Sequence, residues 1–305
     1  MPTALTAVAT PVENASYNLQ RYYEEAGPDY AAWSPHFNMH FGFFRSGMNP
    51  FNREAMLEQM NLEVFERLQL NSHSRILDMG CGLGATLRSF ARLLPAADLH
   101  GITLVLWQLE QGRLLNQSGP QSTNIALNLG DYEDTGFASE SFDAVCAIES
   151  SCYGTGANKS RLIREAHRLL RPGGRFVVAD GFLGPGNLRG SQKPIYRKLC
   201  ECWVIENLGE VHAFTHEVQR GGFRDIAVEQ IQSRVTPSVL HVPWVTLKFL
   251  LTSVAFGPRK MTHSAGTTSL LRSFYPSSAI PSAHSPITSS VQPASDPAHL
   301  VSLPI

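Results

Sequence analysis

The run Asp78-Met79-Gly80-Cys81-Gly82-Leu83-Gly84 is the part of the sequence best suited to hold a ligand. Glycines at alternate positions let the main chain turn tightly and approach a bound molecule with no side chain in the way. An apolar run, Arg75 to Met79, precedes the loop, and a helical pattern from Ala85 to Leu94 follows it, so the loop sits at a strand-to-helix junction. Gly80, Gly82 and Ala85 also fit a dinucleotide-binding loop, which makes a nicotinamide-dependent enzyme a rival reading. Two residues oppose it. Asp78 would crowd a pyrophosphate with like charge but suits an amino-acid moiety, and Thr103 ends the second strand where an Asp or Glu would take a ribose hydroxyl pair. A glycine turn that binds nothing is the bland alternative.

Glu149 is the sharpest catalytic candidate. It follows Val145 to Ile148 at the carboxyl end of a strand, where open parallel sheets place their ligand chemistry. A carboxylate there can take a proton, stabilise a cation, or simply hydrogen-bond the backbone. His40, His212 and His216 are further candidates to deprotonate a hydroxyl, since an imidazole titrates near pH ~6.5, although a lone histidine is more often structural or merely exposed. Arg189, Lys193, Arg197 and Lys198 form a basic run beside Trp203 that fits either an anionic head group or a solvated face. The five cysteines are scattered, with no CxxC pair and no histidine cluster at ligand spacing, so reduced thiols and no structural metal are expected.

These residues need a scaffold, and the pattern around them supplies one. Asn52 to Leu70 keeps the three-and-four spacing of an amphipathic helix. Strand candidates at 98–104, 124–129, 142–148 and 175–180 alternate with helical patterns such as Ser160 to Leu170, which predicts a parallel sheet covered on both faces. Upstream, Tyr17 to Trp33 reads as a helix interrupted at Gly27-Pro28; downstream, Ile195 to Asn207 reads as helix and Asp225 to Ile231 as a late strand. The chain has 305 residues, 43% of them hydrophobic, with a formal net charge of -1. That is enough for a substantial core and lacks the basicity of a nucleic-acid binder. Nothing approaches the ~20 consecutive apolar residues of a membrane span, and the N-terminus has no basic segment of a signal peptide, so a cytoplasmic protein is expected.

Ile76 to Gly84 resembles motif I of the class I methyltransferases that use S-adenosyl-L-methionine, and Leu170-Arg171-Pro172-Gly173-Gly174 resembles the turn before their fifth strand. Gly130-Asp131-Tyr132 resembles the segment whose acidic residue meets adenine, and Ser141-Phe142-Asp143 also fits. More narrowly, Gly101-Ile102-Thr103-Leu104 followed by Gln108 is similar to the pattern of the sterol, tocopherol and cyclopropane-fatty-acid group, as are Tyr22-Tyr23, Trp33 and His40-Phe41-Gly42 in that group's N-terminal lid. Val105 and Leu106 depart from the usual polar start of the next helix, which implies fewer polar ribose contacts.

The resemblance implies a Rossmann-like, doubly wound α/β fold with a helical lid (1–70), a cofactor-binding core (71–183) and a cap with a late strand (184–256); the Ser-, Pro- and Thr-rich composition beyond it predicts a disordered tail (257–305). The superfamily usually closes its sheet with an antiparallel strand between the fifth and sixth; Val301 to Ile305 is a poor substitute, because Pro304 lacks a ladder donor. Asp78, Gly80, Cys81, Gly82, Thr103, Gln108, Asp131, Tyr132 and Glu149 are expected to hold S-adenosyl-L-methionine, with Glu149, His40 and Tyr23 at the transferred methyl. Tyr22, Tyr23 or Trp33 would offer aromatic faces to the sulfonium, or serve only as lid packing. The expected acceptor is a lipophilic small molecule, with carbon of an isoprenoid or sterol-like alkene slightly ahead of a phenol or quinol oxygen. A homodimer is the candidate assembly. The reading from another class is a non-catalytic binding remnant with an incomplete sheet.

Overall fold

The computed structural model describes residues 11–117, 124–184, 188, 190–256 and 300–303. Disorder expected before Pro11 and after Phe256 falls outside the described residues, apart from Leu300–Leu303. The lid comprises α1 (Pro11–Ala26), a 3-10 turn at Gly27–Asp29, α2 (Tyr30–Trp33) and the extended segment that leads to α3 (Arg53–Leu68). The core continues as β1 (Arg75–Met79), α4 (Ala85–Leu93), β2 (Asp98–Thr103), α5 (Leu106–Gln117), β3 (Ile125–Leu129), β4 (Phe142–Ile148), α6 (Ser160–Leu169) and β5 (Leu170–Ala179). The cap holds β6 (Phe182–Leu183), α7 (Gln192–Trp203), β7 (Gly209–Glu210), α8 (Val211–Arg220), β8 (Ala227–Val228), α9 (Gln232–Val239) and α10 (Val242–Phe256), and the sheet is completed by β9 (Leu300–Leu303).

Seven strands form one sheet in the order β3-β2-β1-β4-β5-β9-β8. Each described pairing in it is parallel. Strand order reverses between β1 and β4, and the crevice at such a reversal is where this architecture receives ligands. The strands are apolar on both faces because helices cover both. Ile76, Ala144 and Val177 point into a core shared with α3, α4 and the lid. Their neighbours Leu77, Val145 and Val178 point into a second core shared with α6 and α8. The two-residue period of a strand thus divides one hydrophobic run between two layers.

Local signals explain most boundaries. Asn52 caps α3 by accepting from the Ala55 N–H at 3.1 Å, and Gln69 ends that helix in the left-handed conformation. The lid strap is tied down by its backbone. Phe43 N–H donates to the Met56 carbonyl, Phe44 N–H to the Arg234 carbonyl, and Gly42 N–H to Ser238 Oγ at 2.8 Å. A side chain on Gly42 would collide with the Met56 backbone. Arg45 and Arg67 both pair with the buried carboxylate of Glu63, and Arg67 reaches on to Glu229 near the late strand.

Two expectations need correction. The late strand expected over Asp225 to Ile231 is only the pair Ala227–Val228; Ile231 is buried at the start of α9. The segment rejected as a strand does enter the sheet: Leu300–Leu303 lies between β5 and β8, with Phe176 opposite Leu300 and Ala179 opposite Leu303. The described pairing runs through Leu303, ahead of Pro304 in the sequence. The strand runs parallel, not in the antiparallel sense usual for that position.

Gly101 shows how tightly the sheet underlies the glycine loop. It pairs with Asp78, and a Cβ there would lie 2.6 Å from Cys81 Sγ and 2.9 Å from Leu127 Cδ2. Gly101→Ala is therefore expected to lower stability by about 1–3 kcal/mol through overpacking, read as a lower urea midpoint at unchanged slope.

Candidate active site

Two clefts open at the carboxyl ends of the strands and meet at Glu149. The first, of about 760 Å³, is bounded by the loop after β1, the β2–α5 turn, Tyr132 after β3, Glu149 and Ser150 after β4, and the lid residues Leu19, Tyr23, Phe37, Met39 and His40. The second, of about 540 Å³, runs under the cap between Tyr30, Trp33, Phe41 and Trp203 and reaches Asp180 at the end of β5. Tyr23, Met39, His40, Glu149 and Tyr153 line both.

The loop fits a ligand with an amino-acid end. Gly80 has φ +88°, and a Cβ on it would collide with the Ser150 side chain, so glycine is needed both for conformation and for close approach. Asp78 is 2% exposed yet lines this cleft, and burial pushes its carboxyl up to about 7, against a small opposing effect of a hydrogen bond with Cys146. A buried carboxyl of this kind suits an incoming ammonium. At the other edge Thr103 Oγ donates to Gln108 Oε1 at 2.6 Å and accepts from the Val105 N–H. That pair presents polar atoms to the cleft at the end of β2, where a dinucleotide site would carry a carboxylate. Tyr132 is anchored by its hydroxyl to the Ser150 carbonyl at 2.8 Å.

Glu149 holds an unusual backbone, with φ +47°, and such strain in a non-glycine residue survives only where its surroundings enforce it. Its N–H donates to the Ala179 carbonyl, while Oε1 accepts from the Phe41 N–H at 2.6 Å. Burial pushes the carboxyl well above its usual range; the Phe41 bond opposes this, and Asp180 adds to it. The neighbouring groups are committed elsewhere. His40 has Nδ1 at 2.9 Å from the Phe41 carbonyl and Nε2 at 3.1 Å from Asn61 Oδ1, and burial keeps it neutral by lowering its pKa. Tyr153 donates to the Trp203 carbonyl, so Tyr23, 3.0 Å from Tyr153 Oη, donates to Tyr153. Burial raises both phenols.

The turn that follows Glu149 is clamped from beneath by Lys159. This lysine is fully buried, and its Nζ donates to the carbonyls of Cys152, Gly154 and Asn207 at 2.8–3.0 Å. From the other side, Asp180 accepts from Ser151 Oγ and the Cys152 N–H through Oδ2 and from the Gly181 N–H through Oδ1.

The structure brings together Asp78, Gly80, Cys81, Gly82, Thr103, Gln108, Tyr132, Glu149, His40 and Tyr23 around the first cleft. Asp131 does not line either one; its Oδ1 accepts from the Glu133 N–H within its own turn. Tyr22 packs edge-on behind Tyr23, whereas Trp33 lines the second cleft. His212 and His216 are exposed on α8, and Lys193, Arg197 and Lys198 are exposed on α7; Arg189 lies outside the described residues. Sequence reasoning missed Met39, Phe37 and Asp180. Asp180 carries the same signal as Glu149, an acidic residue at the carboxyl end of a strand.

Among the described residues, no helix is long and apolar enough to cross a membrane, and no cluster of three metal-ligating side chains occurs. The family described as Methyltransferase domain matches residues 76–174. The O-methyltransferase rstn1 of Aspergillus nomiae is 31% identical over 196 residues, which cover 64% of this chain and 84% of the relative. Methyltransferase GfsG of Streptomyces halstedii is 26% identical over 203 residues, covering 66% of this chain and 71% of that protein. In fold, geranyl diphosphate C-methyltransferase from Streptomyces coelicolor, solved with S-adenosyl-L-homocysteine, superposes with a TM-score of 0.63 at 14% identity, covering 88% of this chain and 94% of the other. With the glycine cradle, the buried Asp78 and the Thr103–Gln108 pair in place, these likenesses make the chain a member of the class I S-adenosyl-L-methionine-dependent methyltransferases that act on small molecules.

Proposed function

We propose that the chain methylates a hydroxyl of a lipophilic small molecule held in the second cleft, with Glu149 receiving the proton. The observation that carries this reading is the position of Glu149: a carboxyl at the junction of the two clefts, fixed through Oε1 by the Phe41 N–H, with Oε2 free of any such bond. Bound S-adenosyl-L-methionine supplies an electrophilic methyl group. The chain's own residues do the rest. Asp78 and the glycine loop hold the amino-acid end, Thr103 and Gln108 the ribose side, and Tyr132 packs beside the nucleoside. The lid strap, anchored at Gly42 and Phe44, holds Phe41 against the junction. Glu149, whose carboxyl burial raises well above the ordinary carboxylate range, has the affinity to accept a proton as the acceptor oxygen loses it. His40 and Tyr23 are positioning residues in this reading, because their polar atoms already serve the lid.

A second reading, transfer to an alkene carbon, draws on the ring-lined second cleft, where a cation formed on the acceptor would face Trp33, Phe41 and Trp203. Oxygen is placed first because the curated relatives at 30–31% identity are named O-methyltransferases.

The test is incubation with methyl-labelled S-adenosyl-L-methionine and a panel of phenols, quinols, terpene alcohols and prenyl alkenes, with the new methyl located by NMR. An O-methyl product supports the first reading, and a C-methyl product replaces it with the second. Glu149→Gln is expected to lower turnover by about 10²–10⁴-fold while S-adenosylhomocysteine still binds. Asp78 gives a pH signature of its own. A carboxyl at about 7 must ionise to meet the ligand's ammonium, so S-adenosylhomocysteine affinity should rise roughly tenfold between pH 6 and pH 8. Calorimetry in buffers of different ionisation enthalpy should show proton release on binding at pH 6, and Asp78→Asn should abolish both effects.

A further inference from the structure

Of the two carboxyls that face the second cleft, only Glu149 has a part in the transfer; Asp180 has none. Asp180 is 2% exposed and receives three hydrogen bonds, two from backbone N–H groups and one from the Ser151 hydroxyl, with Lys159 close behind the same turn. Burial works against its charge, yet each of those donors favours the ionised form. Glu149 has the Phe41 N–H alone and is pushed higher. Of the two, Asp180 is the one whose ionised form the surrounding donors favour more. The floor of the second cleft therefore holds an acid gripped by three donors, with the second acid, Glu149, beside it.

Lys159, behind the turn, partly offsets Asp180 but does not line the cleft. Among the described residues no lysine or arginine lines this cleft. The Lys159 ammonium is turned to three carbonyls. His40, which lines the cleft, has its pKa lowered by burial. The walls are the rings of Tyr23, Tyr30, Trp33, Phe41, Tyr153 and Trp203. Aromatic faces attract cations, and desolvation strengthens the attraction. An anionic head group would meet a like charge in a medium of low dielectric, with no partner.

We propose that the second cleft is built for an acceptor bearing a basic nitrogen, bound as its ammonium form, with Asp180 as the counter-charge and the rings as its apolar walls. This rests on the reading of that cleft as the acceptor site and narrows the acceptor to lipophilic amines such as alkaloid-like compounds. Arg189, Lys193, Arg197 and Lys198 then have no head group to hold there.

The experiment is calorimetric titration of the full chain, with and without saturating S-adenosylhomocysteine, using benzyltrimethylammonium, benzyl alcohol and benzylphosphonate as probes. The ammonium is expected to bind about tenfold or more tightly than the alcohol, and the phosphonate not measurably. Asp180→Asn should bring ammonium and alcohol within about threefold of each other, while Glu149→Gln should keep the preference. Benzyl alcohol or benzylphosphonate binding as tightly as the ammonium to the unmodified protein overturns the proposal, as does an undiminished preference in a folded Asp180→Asn chain. If Asp180→Asn does not fold by circular dichroism, the probe series on the unmodified protein decides alone. Failure of S-adenosylhomocysteine to bind would count against the cofactor reading; its binding without any ammonium preference would remove only the present inference.

Discussion

One hydrogen bond, from the Phe41 N–H to the Glu149 carboxyl, joins the lid to the sheet at the point where the two clefts meet. Most of the site's geometry can be traced from it. On one side the strap that carries Phe41 is fastened to α3 and α9 by backbone bonds, and its His40 carbonyl accepts from the Trp33 indole at 3.1 Å. On the other side the strained turn at Glu149 is held by the Ala179 carbonyl, by Asp180 and by the Lys159 ammonium under the loop. A residue whose left-handed backbone is held by its turn and whose carboxyl is fixed through one oxygen has little freedom to turn away, which is what preorganisation of a reacting group requires.

The electrostatics of the site follow from where the sheet puts its acids. Asp78, Glu149 and Asp180 all lie at the carboxyl edge of β1, β4 and β5, which are neighbours in the sheet. Burial raises all three, but their partners differ, so they are not equivalent. Asp78 lacks a positive partner and suits one brought by a ligand. Asp180 is saturated by donors from its own fold, and Glu149 stands between them with one oxygen free. The same edge therefore offers three acids in three states of readiness, set by hydrogen bonding and not by residue type.

Much of this was legible beforehand because the relevant signals are local. The strand, glycine loop and helix at 75–94, the Thr103–Gln108 pair and the acid after β4 are each short patterns whose geometry their own residues impose, and the structure realises them within a residue or two. What escaped depends on distant partners. Asp180 closes an apolar strand and reads as its polar end; its meaning comes from Ser151 and Cys152, donors supplied by the turn after another strand. Asp131 lines neither cleft, and its Oδ1 accepts from the Glu133 N–H of its own turn. The lid residues Phe37 and Met39 lie in an extended strap without periodicity, so nothing in their spacing marks them as cleft walls. A four-residue strand next to a proline offers too little pattern to be recognised, and only the vacant edges of β5 and β8 select it.

That inserted strand also bears on how the chain reaches its native state. β5 and β8 are not hydrogen-bonded to each other; β9 separates them, and it comes from a segment far downstream of both. The four strands β3-β2-β1-β4 and their partner β5 can assemble from successive crossovers, each closing a modest loop. The outer edge of β5 must then wait for a much longer loop to close, at an entropic cost and with a lower rate. During that interval an apolar strand presents unpaired N–H and C=O groups, which is the usual template for pairing with a foreign chain. The step that seals the sheet is therefore also the interval in which the polypeptide is most exposed to aggregation.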